Sequence, residues 1–183
     1  MRGFFLVGAL LISRVGAAEQ PTDGRFATVD GAVVGMLPCR ATPLLEPAPL
    51  PSMPPVRGFK CSGPTFTAAV QYLDYPPTDV DSKLILDHAR DGSVANVREG
   101  RLVSEQVGKL AGRPGRDIVV SAKGVTLRER LVIERDQKKT RLYLILFSTV
   151  PSQAADPRIQ TFFDSIRFKT DQAAVSPPRG ASR

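Results

Sequence analysis

Between Arg101 and Phe147 the chain alternates polar and apolar residues in three or four runs separated by short turn sequences. That pattern suits an antiparallel meander with at least one face buried. In Val125 to Glu134 the odd positions are Val125, Leu127, Glu129, Leu131 and Ile133, and the even ones are Thr126, Arg128, Arg130, Val132 and Glu134. Side chains alternate across a strand, so this run sorts into an apolar face and a charged one, with Glu129 the exception on the inner side. Upstream, Gly115 to Ala122 carries Ile118, Val119 and Val120, and Lys123-Gly124 supplies the positive φ of a tight hairpin turn. Downstream, Asp136 to Lys139 turns the chain into Leu142 to Phe147, which is apolar at both parities. A strand of that kind needs cover on both faces and is predicted to be central. Leu102 to Leu110 is a weaker strand, and Ala111 to Gly115 turns it into the next one.

The flanking segments supply the cover. Val80 to Arg98 predicts a helix capped by Asp79 or Asp81. By 3.6-residue spacing its inner face is Ile85, Leu86, Ala89, Gly92, Ser93, Asn96 and Val97, and the small residues toward its C-terminal half are expected to let it lie close on a sheet. The outer face carries Lys83, Asp87, Arg90 and Asp91, with His88 at the edge of the stripe. Phe26 to Leu37 can supply a first strand with Asp30-Gly31 as a turn or bulge, and Phe59 to Cys61 and Thr65 to Tyr75 supply two more. Arg40 to Val56 holds six prolines and reads as an extended surface connection, because proline removes donors from a sheet. After the meander, Asp156-Pro157 starts a short helix with Ile159, Phe162 and Phe163 as its stripe, and Ser165 to Phe168 is a last edge strand.

The ends of the chain speak to compartment. Met1-Arg2, an apolar run from Gly3 to Ile12, and Val15 to Ala18 with their small residues read as a secretory signal cleaved after Ala18. The apolar run is too short to cross a bilayer, which needs about 20 residues. Residues 19–169 then form one α+β domain with a proline-rich loop at 40–56, and 170–183, polar and holding Pro177-Pro178, form a disordered tail. With 183 residues and 42% hydrophobic content the chain can bury a real core. The formal charge of +7, or +5 without the first 18 residues, is not gathered into a basic stripe with interleaved aromatics, so specific nucleic-acid binding is not expected.

Few residues suggest chemistry. Cys39 and Cys61 are the only cysteines, they flank the proline-rich loop, and in an oxidising compartment they are expected to pair. No Cys-x-x-Cys, Gly-x-Ser-x-Gly, phosphate-binding glycine loop or His-Glu-x-x-His is present. With a single histidine, a histidine-rich metal centre within one chain is excluded, and no cofactor, metal site or catalytic residue is assigned. Arg116, Glu129 and Arg130 form the one candidate pocket, between helix and sheet; a carboxylate facing an arginine across strands is the structural alternative.

The run from Leu84 to Val97, Leu102-Val103-Ser104-Glu105, Gly115-Arg116-Asp117, Leu127 to Ile133, Arg141-Leu142-Tyr143 and Phe162 to Phe168 together resemble a group of uncharacterised bacterial exported proteins similar to the PsbP-like fold. The resemblance implies a single antiparallel sheet of about six to seven strands with helices packed on it, an α/β/α sandwich. It also implies action by docking to other macromolecules, although folds host unrelated functions. His88 and the proline-rich insertion with its cysteines depart from that pattern. Two functions follow as expectations. One is a non-enzymatic exported module, periplasmic or extracellular, that docks to an unknown protein or envelope component and has no membrane span after signal cleavage. The other is a small-ligand-binding protein or hydrolase with its pocket between helix and sheet.

Overall fold

A computed structural model of the chain describes residues 23–48 and 53–169. The expected leader at 1–18 and tail at 170–183 lie outside the described residues. Strands β1 (Arg25–Ala27) and β2 (Val33–Met36) come first, followed by β3 (Thr42–Glu46), β4 (Val56–Ser62) and β5 (Phe66–Tyr75). Helix α1 (Ser82–Asn96) leads into the meander of β6 (Arg101–Leu110), β7 (Arg113–Ala122), β8 (Val125–Arg135) and β9 (Thr140–Thr149). A 3-10 turn at Pro151–Gln153, helix α2 (Pro157–Ser165) and β10 (Arg167–Phe168) follow.

Seven strands make one antiparallel sheet in the order β3-β4-β5-β9-β8-β7-β6. The strand predicted to be central is central, and its two faces feed two cores. Tyr143, Ile145 and Phe147 join Phe26, Val33, Phe162, Phe163 and Phe168 on one side. Leu142, Leu144 and Leu146 join Leu86, Ile118, Leu127 and Leu131 on the other, beneath α1. Burial on both faces is what a run apolar at both parities requires.

The expectation of a single sheet needs correction. β10 does not extend the large sheet; it pairs with β2, and β1, β2 and β10 form a separate three-stranded sheet. Phe26, Val33 and Phe168 from these strands are buried in the same core as α2. Two to four residues per strand offer too few ladder bonds to stand alone, so the small sheet depends on that apolar contact. The proline-rich segment also differs from the expected connection, since Thr42–Glu46 pairs with β4 as the terminal strand of the large sheet. Pro43 is tolerated there because an edge strand leaves one side of its backbone unpaired.

Turn chemistry accounts for the meander. Gly124 has φ of 81° between β7 and β8, and Ala111 and Gly112 have φ of 51° and 75° between β6 and β7. Two successive positive φ values are those of a type I′ turn, whose twist matches antiparallel strands. Arg113 and Pro114 therefore belong to β7 and not to the turn. On the opposite edge of the sheet from β3, β6 is interrupted by a bulge between Leu102 and Ser104, a device that discourages pairing with another strand.

Candidate functional site

Helix α1 begins where the Asp81 side chain accepts a hydrogen bond from the Lys83 amide at 2.9 Å. It lies across β7 and β8, burying Leu86 and Ser93. Toward β4 and β5 the sheet supplies an apolar floor in which Val56, Leu73 and Leu142 are buried and Tyr75 and Leu144 half-buried, and the floor and the helix together bound a groove of about 770 Å³. Its helical wall is Ile85, His88, Ala89, Gly92, Ser93 and Asn96, and its polar groups also include Glu46, Gln71 and Thr140. Two depressions of about 470 and 480 Å³, one beside the C-terminal end of α1 and one at the β6–β7 turn, are smaller and more open.

The small residues of α1 were expected to bring the helix close to the sheet. Ser93 does so, but a Cβ on Gly92 would meet nothing within 4 Å. At Gly92 the space beside the helix is groove. Both departures from the resembled pattern meet here, because His88 lines the helical wall while Glu46 and Met53, from the two arms of the proline-rich segment, line the far side. Burial pushes the Tyr75 phenol above its ordinary pKa.

Glu129 lies under the wall. It is 1% exposed, its Oε2 has no hydrogen-bond partner among the described residues, and it meets Ser93, a residue of the groove. Burial pushes its carboxyl up to about 7, against the lowering effect of the Ser93 hydrogen bond. The Ser93 hydroxyl also lies 3.0 Å from the Ala89 carbonyl oxygen. A hydroxyl has one proton to donate. With Glu129 protonated, the carboxyl donates to Ser93 and Ser93 donates to Ala89; with Glu129 ionised, one proton serves two acceptors.

The three residues expected to form one pocket are divided by the sheet. Arg116 is on the α1 side with Glu129, two residues from the Ile118 that faces Glu129 across strands. Its guanidinium is held by Asp87 of α1 and Glu105 of β6, and Arg90 reaches both of these carboxylates. The hydrogen bond from Lys83 is the main cause holding the Asp87 carboxyl below its ordinary pKa, with Arg116 and Arg90 adding to it. Arg130 points to the opposite face, where it donates to Asp117 at 3.0 Å and to the Phe163 carbonyl at 3.2 Å. Arg128 and Arg130 stack on the Phe163 ring at 4.9 and 4.8 Å, so α2 covers the charged face of β8. The groove's strand residues were not legible as a site, since each looks like ordinary core; the one usable signal was the small stretch Gly92 to Asn96 on an otherwise apolar stripe.

Cys39 and Cys61 form a disulfide with a Cα–Cα distance of 5.7 Å. No helix among the described residues is long and apolar enough to cross a membrane. No group of three or more metal-binding side chains occurs among the described residues.

No protein-family model and no curated protein matches the sequence. Among solved structures, the chain is similar to the crystal structure of LpqN, involved in cell envelope biogenesis of Mycobacterium tuberculosis. That likeness has a TM-score of 0.50 at 14% identity and covers 78% of this chain and 87% of that one. The solution structure of cyanobacterial PsbP from Synechocystis sp. PCC 6803 is also similar, with a TM-score of 0.48 at 8% identity, covering 86% of this chain and 98% of that one. At 14% identity the likeness to LpqN is one of fold alone.

Proposed function

We propose that this chain is an exported, non-enzymatic binding module of the cell envelope, and that the groove beside α1 takes a small, largely apolar molecule with a hydrogen-bonding end. The observation that carries this reading is the concavity of about 770 Å³ whose floor is lined by Val56, Leu73, Tyr75, Leu142 and Leu144. That size lies in the range of small-molecule sites, which combine an apolar lining with a few polar groups. An extended peptide suits it less well: the floor is a sheet face whose backbone groups are already paired between β4, β5 and β9, so a strand would find no ladder to join. The leader-like N-terminus and the disulfide support export, and the fold shared with LpqN, a protein of cell envelope biogenesis, supports the envelope as the setting. A hydrolase built on Arg116, Glu129 and Arg130 is disfavoured because Arg130 lies across the sheet and Arg116 is tied to Asp87 and Glu105.

The test is a titration with a neutral solvatochromic dye such as Nile red. Gly92→Phe, which would put a ring into the groove, and Leu144→Glu, which would put a charge on its floor, should each weaken binding at least tenfold while circular dichroism stays unchanged. Dye affinity equal to wild type in both folded variants would reject the groove as the site.

A further inference from the structure

We propose that the groove is regulated by proton occupancy of Glu129, holding its apolar ligand when this carboxyl is protonated and releasing it when the carboxyl ionises. The inference rests on the groove reading above and adds its control. Three observations meet in one place. Glu129 is fully buried with Oε2 unpartnered among the described residues. The side chain it meets, Ser93, belongs to the groove wall. Ser93 also lies within hydrogen-bond distance of the Ala89 carbonyl, so its single proton cannot serve both a carboxylate and the helix.

The protonated arrangement places every proton, with Glu129 donating to Ser93 and Ser93 to Ala89, and α1 stays seated on β7 and β8. Ionisation leaves a charge among Leu127, Leu131 and Ile118 with too few donors. Relief comes from water or from displacement of α1 at Ser93, and both enter the groove. An apolar ligand excludes that water, so it binds more tightly to the protonated form, and by reciprocity its binding favours the proton.

No neighbouring charge is hydrogen-bonded to Glu129 Oε2 among the described residues. On β7 the nearest is Arg116, whose two Nη atoms are engaged with Asp87 of α1 and Glu105 of β6 and whose Nε is buried and likewise unpaired among the described residues. Arg90 of α1 reaches the same two carboxylates. The β9 residue facing Glu129 is Leu146. His88, the one histidine of the chain, lines the same groove wall, and the test controls for it.

The experiment is equilibrium binding of Nile red to the purified chain at pH 5.5 and pH 8.5, for wild type, Glu129→Gln, Ser93→Ala and His88→Gln. The expected result is a dissociation constant about tenfold larger at the higher pH for wild type and His88→Gln, and no pH dependence for Glu129→Gln. Ser93→Ala, which keeps the carboxyl and removes its hydroxyl partner, should retain a slope, while Glu129→Leu, measured alongside, should be flat and decides the matter if Glu129→Gln fails to fold. Equal affinity of the wild type at both pH values overturns the regulation and leaves the groove intact. A slope that persists without the Glu129 carboxyl, or that vanishes in Ser93→Ala or His88→Gln, overturns it as well. Absence of dye binding at either pH removes the groove reading itself.

Discussion

Arg141 and Asp74 face each other across the β5–β9 pair, and their guanidinium and carboxylate meet in two hydrogen bonds of 2.5 and 2.8 Å. The same guanidinium reaches Asp30 in the β1–β2 turn at 2.7 Å and lies 4.4 Å over the Tyr72 ring. It therefore joins the small sheet to the large one at the end of the shared core. Burial works against the Arg141 charge, but Asp74, Tyr143 and Asp30 overcome it and hold its pKa above the ordinary value. Partial burial likewise works against the Asp30 charge. The Ala32 amide, the Thr28 hydroxyl and Arg141 outweigh it and hold that carboxyl well below the usual range.

Asp74→Ala should destabilise the chain by about 2 kcal/mol, since it removes two charge-assisted hydrogen bonds from a guanidinium that is 4% exposed and leaves it Asp30 as its remaining carboxylate. Urea denaturation measures this. The double variant Arg141→Met with Asp74→Leu should recover most of the loss, because it removes the buried charge along with its partner.

Stability should fall as pH rises toward neutrality on account of Glu129. The folded chain raises this carboxyl to about 7, from about 4.3 in the unfolded chain. Its contribution is complete below the unfolded value and is lost as pH rises through the folded one. The change amounts to about 3 kcal/mol between pH 4 and pH 8. Denaturant midpoints at pH 5 and pH 8 should differ less in Glu129→Gln than in wild type, and equal differences would show that the carboxyl ionises freely.

Reduction of the disulfide should lower stability by about 3 kcal/mol, given a sequence separation of 22 residues. Cys39→Ser with Cys61→Ser should give the same loss without reductant. Thermal melts with and without reductant measure both, and the double variant should be insensitive to reductant.

Gly92→Ala should stabilise the fold by about 0.5–1 kcal/mol, because a methyl there meets no neighbour and alanine loses less backbone entropy in a helix. A loss of stability in a chemical melt would mean that the helix packs more closely at this point than the groove allows.

The meander was legible because its signals are local. Alternation in Val125 to Glu134, the turn at Gly124 and the double apolarity of Leu142 to Phe147 each act within one hairpin, where period and turn chemistry decide the outcome. The helix was legible for the same reason, ending within two residues of the expected bounds at each end. The candidate site was only partly so. Arg116 and Glu129 share a face, but the parity that sends Glu129 inward sends Arg130 to the other side.

What the sequence alone determined is the two helices, the strands other than β3, the central place of β9 and the pairing of two cysteines around a proline-rich loop. Each follows from steric or hydrophobic rules that operate over a few residues, or from the count of available partners. Only the tertiary structure decided that β10 joins β2, that α1 lies over β7 and β8, and that the sheet beside it stays open as a groove. Those outcomes depend on how faces with similar apolar content compete for cover, a competition between segments far apart in the chain that no local pattern encodes.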